Sequence, residues 1–334
     1  MIDILFVGTF LSKLKGTYPV SENISRKLAN EGFSSYLCSS IENKFLRLID
    51  IIFSSFFIKF DKMHIDVFSG SAFVISEFSS IIAKLKGKKI ILTLHGGNLP
   101  IFYESNKSRI IRVFSRAHYI QTPSLSIQKF FFSEGIKIKY LPNPIDFKSF
   151  PYMIKNVKPK SILWLRAFSE IYNPDLAVET LYELKKNYPE ATLTMIGPDK
   201  GNLSKIKNKV SLLNLNSSVD IKGPVRNSDL HKYFHSHEVF INTTTVESFG
   251  VAVVEAASCG IPIVSTAVGE LKILWNHNKN ILFAEQNSKS FKKQIEKLFL
   301  SKELKLKLTV NAKERIKEFD FNVIISEWKK IFSD

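Results

Sequence analysis

Along this chain short apolar runs alternate with longer stretches in which apolar residues recur every three or four positions. Runs at 2–7, 35–39, 65–68, 89–94, 118–122 and 138–141 have the length and bounds of strands. So do runs at 161–165, 192–196, 219–222, 239–242, 262–265 and 281–283. Strands spaced by helical stretches make βαβ units, with parallel sheets covered on both faces. The alternation occurs twice. It breaks at 146–159, DFKSFPYMIKNVKP, which holds two prolines, shows little periodicity and reads as a linker. The expected architecture is α/β: two Rossmann-like domains, 1–150 and 158–316, with parallel sheets facing a central cleft. Ligands in such sheets bind beyond the carboxyl ends of the strands.

Helix punctuation agrees with this pattern. Asn173-Pro174-Asp175 supplies a capping residue, a proline for the first helical position and an acid for the first turn. One stretch is unusual. In 45–60, FLRLIDIIFSSFFIKF, positions 45, 48, 49, 52, 53, 56 and 60 form one apolar helical face. Ile51, Phe57 and Ile58 spread apolar surface round the back, and Lys44, Arg47, Lys59 and Lys62 flank it. Such a helix either lies in a lipid interface or is buried between a sheet and a partner domain.

Composition narrows the class. Lys+Arg is 47 against 31 Asp+Glu, a net charge of +16. The excess is spread over both halves, so the surface attracts anions generally. It is mostly lysine and carries no nucleic-acid motif, so a nucleic-acid partner is not expected. Two distant cysteines, Cys38 and Cys259, make no disulfide framework and fit a reducing compartment. The N-terminus runs directly into a strand pattern, and no apolar stretch of ~18–20 residues occurs. A cytoplasmic protein is expected, with peripheral contact at the inner, anionic face of the plasma membrane as its one route to lipid.

The candidate chemistry centres on TTTVESFGVAVVEAASCGIPIVS, residues 243–265. Glu247 and Glu255 stand eight positions apart around an apolar stretch that holds Gly250. With a strand at 239–242 and a helix at 251–258, Gly250 falls at a helix N-terminus. Free N–H groups and the helix dipole make an anion site there. Carboxylates repel phosphate but accept two hydrogen bonds at once, which suits a vicinal diol. An anion site between two diol clamps suggests a ligand with sugar, diphosphate and ribose. The plainer reading, that Glu255 merely caps or pairs on a surface helix, stays open at this level.

The run from Glu247 to Val264, with its Phe-Gly and Gly-x-Pro elements, resembles the E-x7-E signature of retaining GT-B glycosyltransferases. It is most similar to glycosyltransferase family 4, the group 1 glycosyl transferases. The resemblance continues along most of the chain. Arg166 ends the strand ILWLRAF where the family places an arginine on the donor diphosphate. Gly197-Pro198 resembles its G-x-G-P element, and Lys222-Gly223-Pro224-Val225 its segment beside the nucleobase. Leu141-Pro142-Asn143-Pro144-Ile145-Asp146 resembles its turn before the linker. Residues 319–331 resemble its last helix, so 317–334 is expected to pack back on the N-terminal domain.

The resemblance implies roles. Glu247 holds hydroxyls of the transferred sugar, Glu255 the ribose diol, and Arg166 the leaving diphosphate. Ser248, Phe249, Gly250 and Val251 form the helix start that meets sugar and phosphate, with Val225 and Arg226 on the nucleobase side and Gly197 a further donor contact. Gly8-Thr9-Phe10 and Lys15-Gly16-Thr17 resemble the family's glycine loop, with Gly16 and Thr17 near the diphosphate. A plain βα loop is the alternative. His95-Gly96-Gly97-Asn98 matches its active-site histidine loop, which makes His95 a catalytic candidate and Gly97 a donor contact. A structural histidine is the alternative there.

One departure matters. The family's second diphosphate cation, a lysine five positions after the arginine, is here Ile171; Tyr172 and Asn173 stand beside it, and Lys200 is a candidate substitute. His231, His235 and His237 lack the spacing of a zinc site, and no metal or other cofactor is expected. The implied activity is retaining, metal-independent transfer of a sugar from a nucleotide-sugar donor to a glycan acceptor, lipid-linked, in surface-polysaccharide assembly. The alternative is a non-catalytic nucleotide-sugar-binding or scaffold subunit.

Overall fold

The computed structural model describes residues 2–11, 19–29, 31–153 and 157–334. The chain divides into two compact units: Met1–Pro144 with Phe321–Asp334, and Ile145–Asp320. In the first unit the elements run β1 (Ile2–Val7), α1 (Val20–Ala29), β2 (Phe33–Cys38), α2 (Lys44–Phe57), β3 (Lys62–Val67), α3 (Phe73–Leu85), β4 (Lys89–Leu94), α4 (Leu99–Phe114), β5 (Tyr119–Thr122), α5 (Leu125–Ser133) and β6 (Lys139–Tyr140). The second holds β7 (Ser161–Leu165), α6 (Pro174–Lys185), β8 (Thr192–Ile196), α7 (Leu203–Leu212), β9 (Val219–Lys222), α8 (Asn227–Ser236), β10 (Val239–Asn242), α9 (Val251–Cys259), β11 (Ile263–Thr266), α10 (Leu271–Leu274), β12 (Leu282–Ala284), α11 (Ser288–Leu300) and α12 (Lys302–Ile316). The last helix, α13 (Phe321–Ser333), belongs to the first unit.

Each unit is a six-stranded, wholly parallel sheet. The strand orders are β2-β1-β3-β4-β5-β6 and β12-β11-β10-β7-β8-β9. Both orders reverse direction once, between β1 and β3 in the first sheet and between β7 and β10 in the second. In open α/β sheets the crevice at such a reversal, beyond the strand carboxyl ends, is where ligands bind.

The twelve expected strands all form, and the boundaries that moved have physical causes. β3 was expected at 65–68 but begins at Lys62, and all six of its residues are buried. Polar Lys62 and His64 hid the start. His64 is neutralised by its surroundings: its Nε2 lies 2.6 Å from Thr93 Oγ1, and burial lowers its pKa to about 4. Its ring sits among Phe6, Trp328 and Phe332.

One face of the first sheet packs through Leu5, Ile65 and Leu92 on helices that include α4 and α5. The opposite face packs through Ile4, Phe6 and Ile91 on α1 and α13. The second unit has its own core around Trp164, Leu193, Ile241 and Val264.

Helix α2 is buried only along a narrow strip. Ile51 and Ser55 are its buried residues, whereas Phe45, Phe53 and Phe57 are 70%, 59% and 77% exposed. The helix packs on α3, whose buried positions include Ser76, Ser79 and Ser80. Beyond the end of α3, Lys86 Nζ donates to the carbonyls of Ser55, Phe56 and Ile58 at 2.9–3.0 Å, closing the C-terminal turn of α2. The phenylalanine side is left facing solvent. No helix of the described residues is long and apolar enough to cross a membrane.

Candidate active site

Arg166 follows β7 at the reversal of the second sheet. Its Nε donates to Asn242 Oδ1 at the end of β10 (3.2 Å), and Asn242 Nδ2 donates to Ser265 Oγ on β11 (3.0 Å). Its Nη2 donates to Glu247 Oε2. The guanidinium also lies over the Tyr172 ring, 5.3 Å from the centroid, a favourable cation–π placement. Three strand ends thus hold one cation, and its charge-assisted bonds fix its direction.

The loops on either side are knitted together. Thr243 Oγ1 accepts from Trp164 Nε1 (2.9 Å) and donates to the Tyr172 carbonyl (2.7 Å). The Ile171 carbonyl accepts from the Thr244 hydroxyl, and from the amide and hydroxyl of Thr245. Glu247 is seated by a residue the sequence reading missed. Gly269 has φ +50, and a Cβ there would stand 1.9 Å from the Glu247 carbonyl oxygen, so only glycine permits this approach. Nothing in the local sequence flags Gly269, because its constraint comes from a loop twenty residues away.

Gly250 precedes α9 with φ +87, and a Cβ on it would meet Leu271 Cδ2 at 2.6 Å. The helix therefore starts where the sequence pattern placed it. Its first amides have no partner within the helix. The Ser248 N–H donates to Glu247 Oε1 (3.2 Å), and Phe249 is anchored edge-on against Phe319. Val251 is partly exposed on the first turn. Glu255 is buried in α9, and burial pushes its carboxyl up to about 8, with the Arg166 charge pulling the other way. Burial thus favours the protonated carboxyl over the ready carboxylate expected from sequence. Arg166, Glu247, Glu255 and the α9 N-terminus form one electrostatic group, whose cation and amides can attract an anion and whose carboxyl groups can bond hydroxyls.

The other candidates divide. Gly197 is buried against Arg166, where a Cβ would stand 1.9 Å from the Arg166 carbonyl oxygen, so it serves backbone approach. Asn173 adopts φ +46 and its side chain caps α6 by accepting from the Leu176 N–H (3.3 Å); that oxygen is committed to the helix. Ile171 is 51% exposed. Lys200 is exposed on the loop after β8, its amide donating to the Phe168 carbonyl. Val225 is half-buried, and Arg226 pairs on the surface with Asp229 at 3.0 Å. Gly16 and Thr17 lie outside the described residues.

In the first unit His95 stands just past β4, next to the reversal of that sheet. Its Nε2 lies 2.9 Å from Asp66 Oδ1, and the Phe68 ring stacks on it with 5.1 Å between centroids. The Gly97 that follows has open space where a Cβ would be. Asp66, one residue before the end of β3, was not among the sequence candidates: it lay within the expected strand at 65–68, and only the pairing with His95, 29 positions away, marks it. Among the described residues no group of three or more His, Cys, Asp and Glu is placed to hold a metal ion. His235 bonds the Pro151 carbonyl and His237 the Thr194 hydroxyl, both at 2.8 Å.

Comparison with known proteins bears on this geometry. An uncharacterized glycosyltransferase of Methanocaldococcus jannaschii is 26% identical over 253 residues, 73% of this chain and 68% of that protein. A Campylobacter jejuni protein is 23% identical over 238 residues, 68% of this chain and 65% of its own length. Its name is GalNAc-alpha-(1->4)-GalNAc-alpha-(1->3)-diNAcBac-PP-undecaprenol alpha-1,4-N-acetyl-D-galactosaminyltransferase. Among solved structures, Anabaena Alr3699/HepE in complex with UDP and glucose superposes over 100% of both chains, with a TM-score of 0.78 at 15% identity. At that identity the likeness concerns the fold, which is GT-B. The model of the family "Glycosyl transferases group 1" matches residues 148–315, half of the chain. Arg166, Glu247, Gly250 and Glu255 all fall inside that match, and the chain belongs to the group 1 glycosyl transferases.

Proposed function

We propose that this protein transfers a glycosyl group from a nucleoside diphosphate sugar to a hydroxyl acceptor, with retention at the anomeric carbon and without a metal ion. The observation that carries the reading is the Arg166–Glu247 pair at the sheet reversal, beside the α9 N-terminus and Glu255. Arg166 and the α9 amides stabilise the diphosphate as the sugar–oxygen bond breaks, where preorganised donors contribute most. Glu247 exchanges its contact with Arg166 for sugar hydroxyls, and Glu255 takes the ribose diol. By family resemblance the acceptor oxygen enters on the face the diphosphate leaves, and its proton passes to the departing phosphate oxygen. Tyr172, against the Arg166 guanidinium, supports the cation where the family's lysine is replaced by Ile171.

A lipid-linked glycan acceptor, met at the inner face of the plasma membrane, is supported by two observations. The C. jejuni relative is named for an undecaprenol-linked acceptor. Helix α2 exposes Phe45, Leu46, Phe53, Phe56 and Phe57, with Lys44 and Lys59 at its ends. Aromatic surface edged by cations is suited to an anionic lipid interface.

The test offers UDP-, GDP-, ADP- and dTDP-sugars to the purified protein and follows binding and release of nucleoside diphosphate. One donor is expected to bind and turn over, with Glu247→Ala lowering kcat/KM by about 100-fold or more. Identical behaviour of wild type and variant toward every donor would sink the proposal. The exposed Ile171 favours a second reading, a donor-binding subunit without catalysis; tight donor binding with no turnover on any acceptor is its signature.

A further inference from the structure

The first unit contains a buried polar cluster that the transfer reaction as described does not use. Asp66, at the carboxyl end of β3, is almost fully buried, and its partners come from three elements. His95 Nε2 lies 2.9 Å from Oδ1. The hydroxyl of Ser21, on the first turn of α1, reaches Oδ1 at 2.7 Å and Oδ2 at 2.8 Å. Gly8, just past β1, leaves room for the carboxylate: a Cβ there would stand 2.8 Å from Oδ2. The cluster therefore sits at the reversal between β1 and β3.

Several features say that this carboxylate is charged and aimed at His95. Its pKa lies below the ordinary value in spite of burial, which opposes ionisation; His95 and then His64 and Ser21 outweigh it. The titratable groups facing Asp66 are these two histidines, and His64 is held neutral by its own burial. A buried carboxylate with one strong acceptor direction selects the N–H tautomer of the nitrogen it faces. Phe68 fixes the plane of the His95 ring from one side. Nε2–H is then committed to Asp66, and Nδ1 is left as the ring's remaining polar atom.

We propose that Asp66, held by Ser21, is the positioning residue for His95: it fixes the Nε2–H tautomer, so that Nδ1 presents a lone pair to a substrate hydroxyl. This rests on the reading of His95 as a substrate contact. Asparagine at position 66 can either accept from or donate to Nε2, so it no longer selects one tautomer.

The experiment has a readout that needs no donor. The ring nitrogens of His95 are observed by 15N NMR in the full-length protein, assigned by their loss in His95→Ala. The wild type is expected to hold the Nε2–H form, and Asp66→Asn a mixture or the opposite form. With the donor that turns over, Asp66→Asn is expected to lower kcat by about 10- to 100-fold, the range known for carboxylates that orient metal-bound histidines. The effect on KM is expected to be small, and no further loss is expected in the His95→Ala background. If Asp66→Asn does not fold, Ser21→Ala replaces it, with a smaller loss in the same direction that again vanishes without His95. An Nδ1–H ring in the wild type, an unchanged ring in Asp66→Asn, or an equal loss in the His95→Ala background overturns the proposal. Because the ring spectrum is read without substrate, failure here is distinguishable from failure of the transfer reaction itself.

Discussion

Glu255 lies on the most apolar helix of its unit, where water reaches it little, and the pKa of about 8 follows from that burial. The consequence for stability has a definite sign. The folded state holds the Glu255 proton more tightly than the unfolded chain, whose carboxyl titrates near 4.5. Between those values the folded state binds more protons, so the contribution of Glu255 falls as pH rises from about 4.5 and levels off above about 8. Glu255→Gln removes the ionisation and keeps the volume. We expect the variant to gain on the wild type steadily across that window, by up to ~5 kcal/mol at its upper end at ~1.4 kcal/mol per unit. Urea titrations of both proteins at pH 5, 7 and 9 check this; parallel curves would mean that the carboxyl is not desolvated.

At the scale of the element, α2 poses a sharper question than any single residue. It is held on its inner side by Ile51, Ser55 and the Lys86 cap, and its outer side carries no load for the fold. Phe53 and Phe57, stacked with 5.8 Å between ring centroids, are part of that outer side. Replacing both with serine is expected to shift stability by no more than about 1 kcal/mol, as for exposed positions generally. The same change is expected to weaken sedimentation with vesicles of anionic lipid by about tenfold or more, since each buried aromatic contributes ~1.5–3 kcal/mol. Vesicle binding that is equal in both proteins would assign the patch to something other than lipid.

For the molecule as a whole, the first unit depends on the end of the chain. Helix α13 places Ile324, Ile325, Trp328, Ile331 and Phe332 against α1 and β1, in a core that the second unit does not share. Five such side chains at ~2 kcal/mol each amount to about 10 kcal/mol, comparable to the entire stability of a domain. A chain ending at Asp320 is therefore expected to lose amide protection throughout β1–β6 and to keep it in β7–β12. Hydrogen exchange read by mass spectrometry distinguishes the two units; uniform loss would mean that they fold as one.

Much of this was legible in the sequence because it is local. Strand and helix positions follow from apolar periodicity, the start of α9 from Gly250, the cap of α6 from Asn173-Pro174, and the family from a motif within twenty residues. What only the tertiary structure decided is non-local. The strand orders bring Arg166 to Glu247 and Asp66 to His95, pairs separated by 81 and 29 positions. Gly197 and Gly269 are required by backbones that meet them from other loops. Periodicity marked α2 as apolar around its circumference, but only packing on α3 selected which side was buried. Polar Lys62 and His64 masked the start of a central strand, since a buried polar group is stable only with partners that folding supplies. Local propensity is written in neighbouring residues; partners, burial and protonation exist only once distant segments have been brought together.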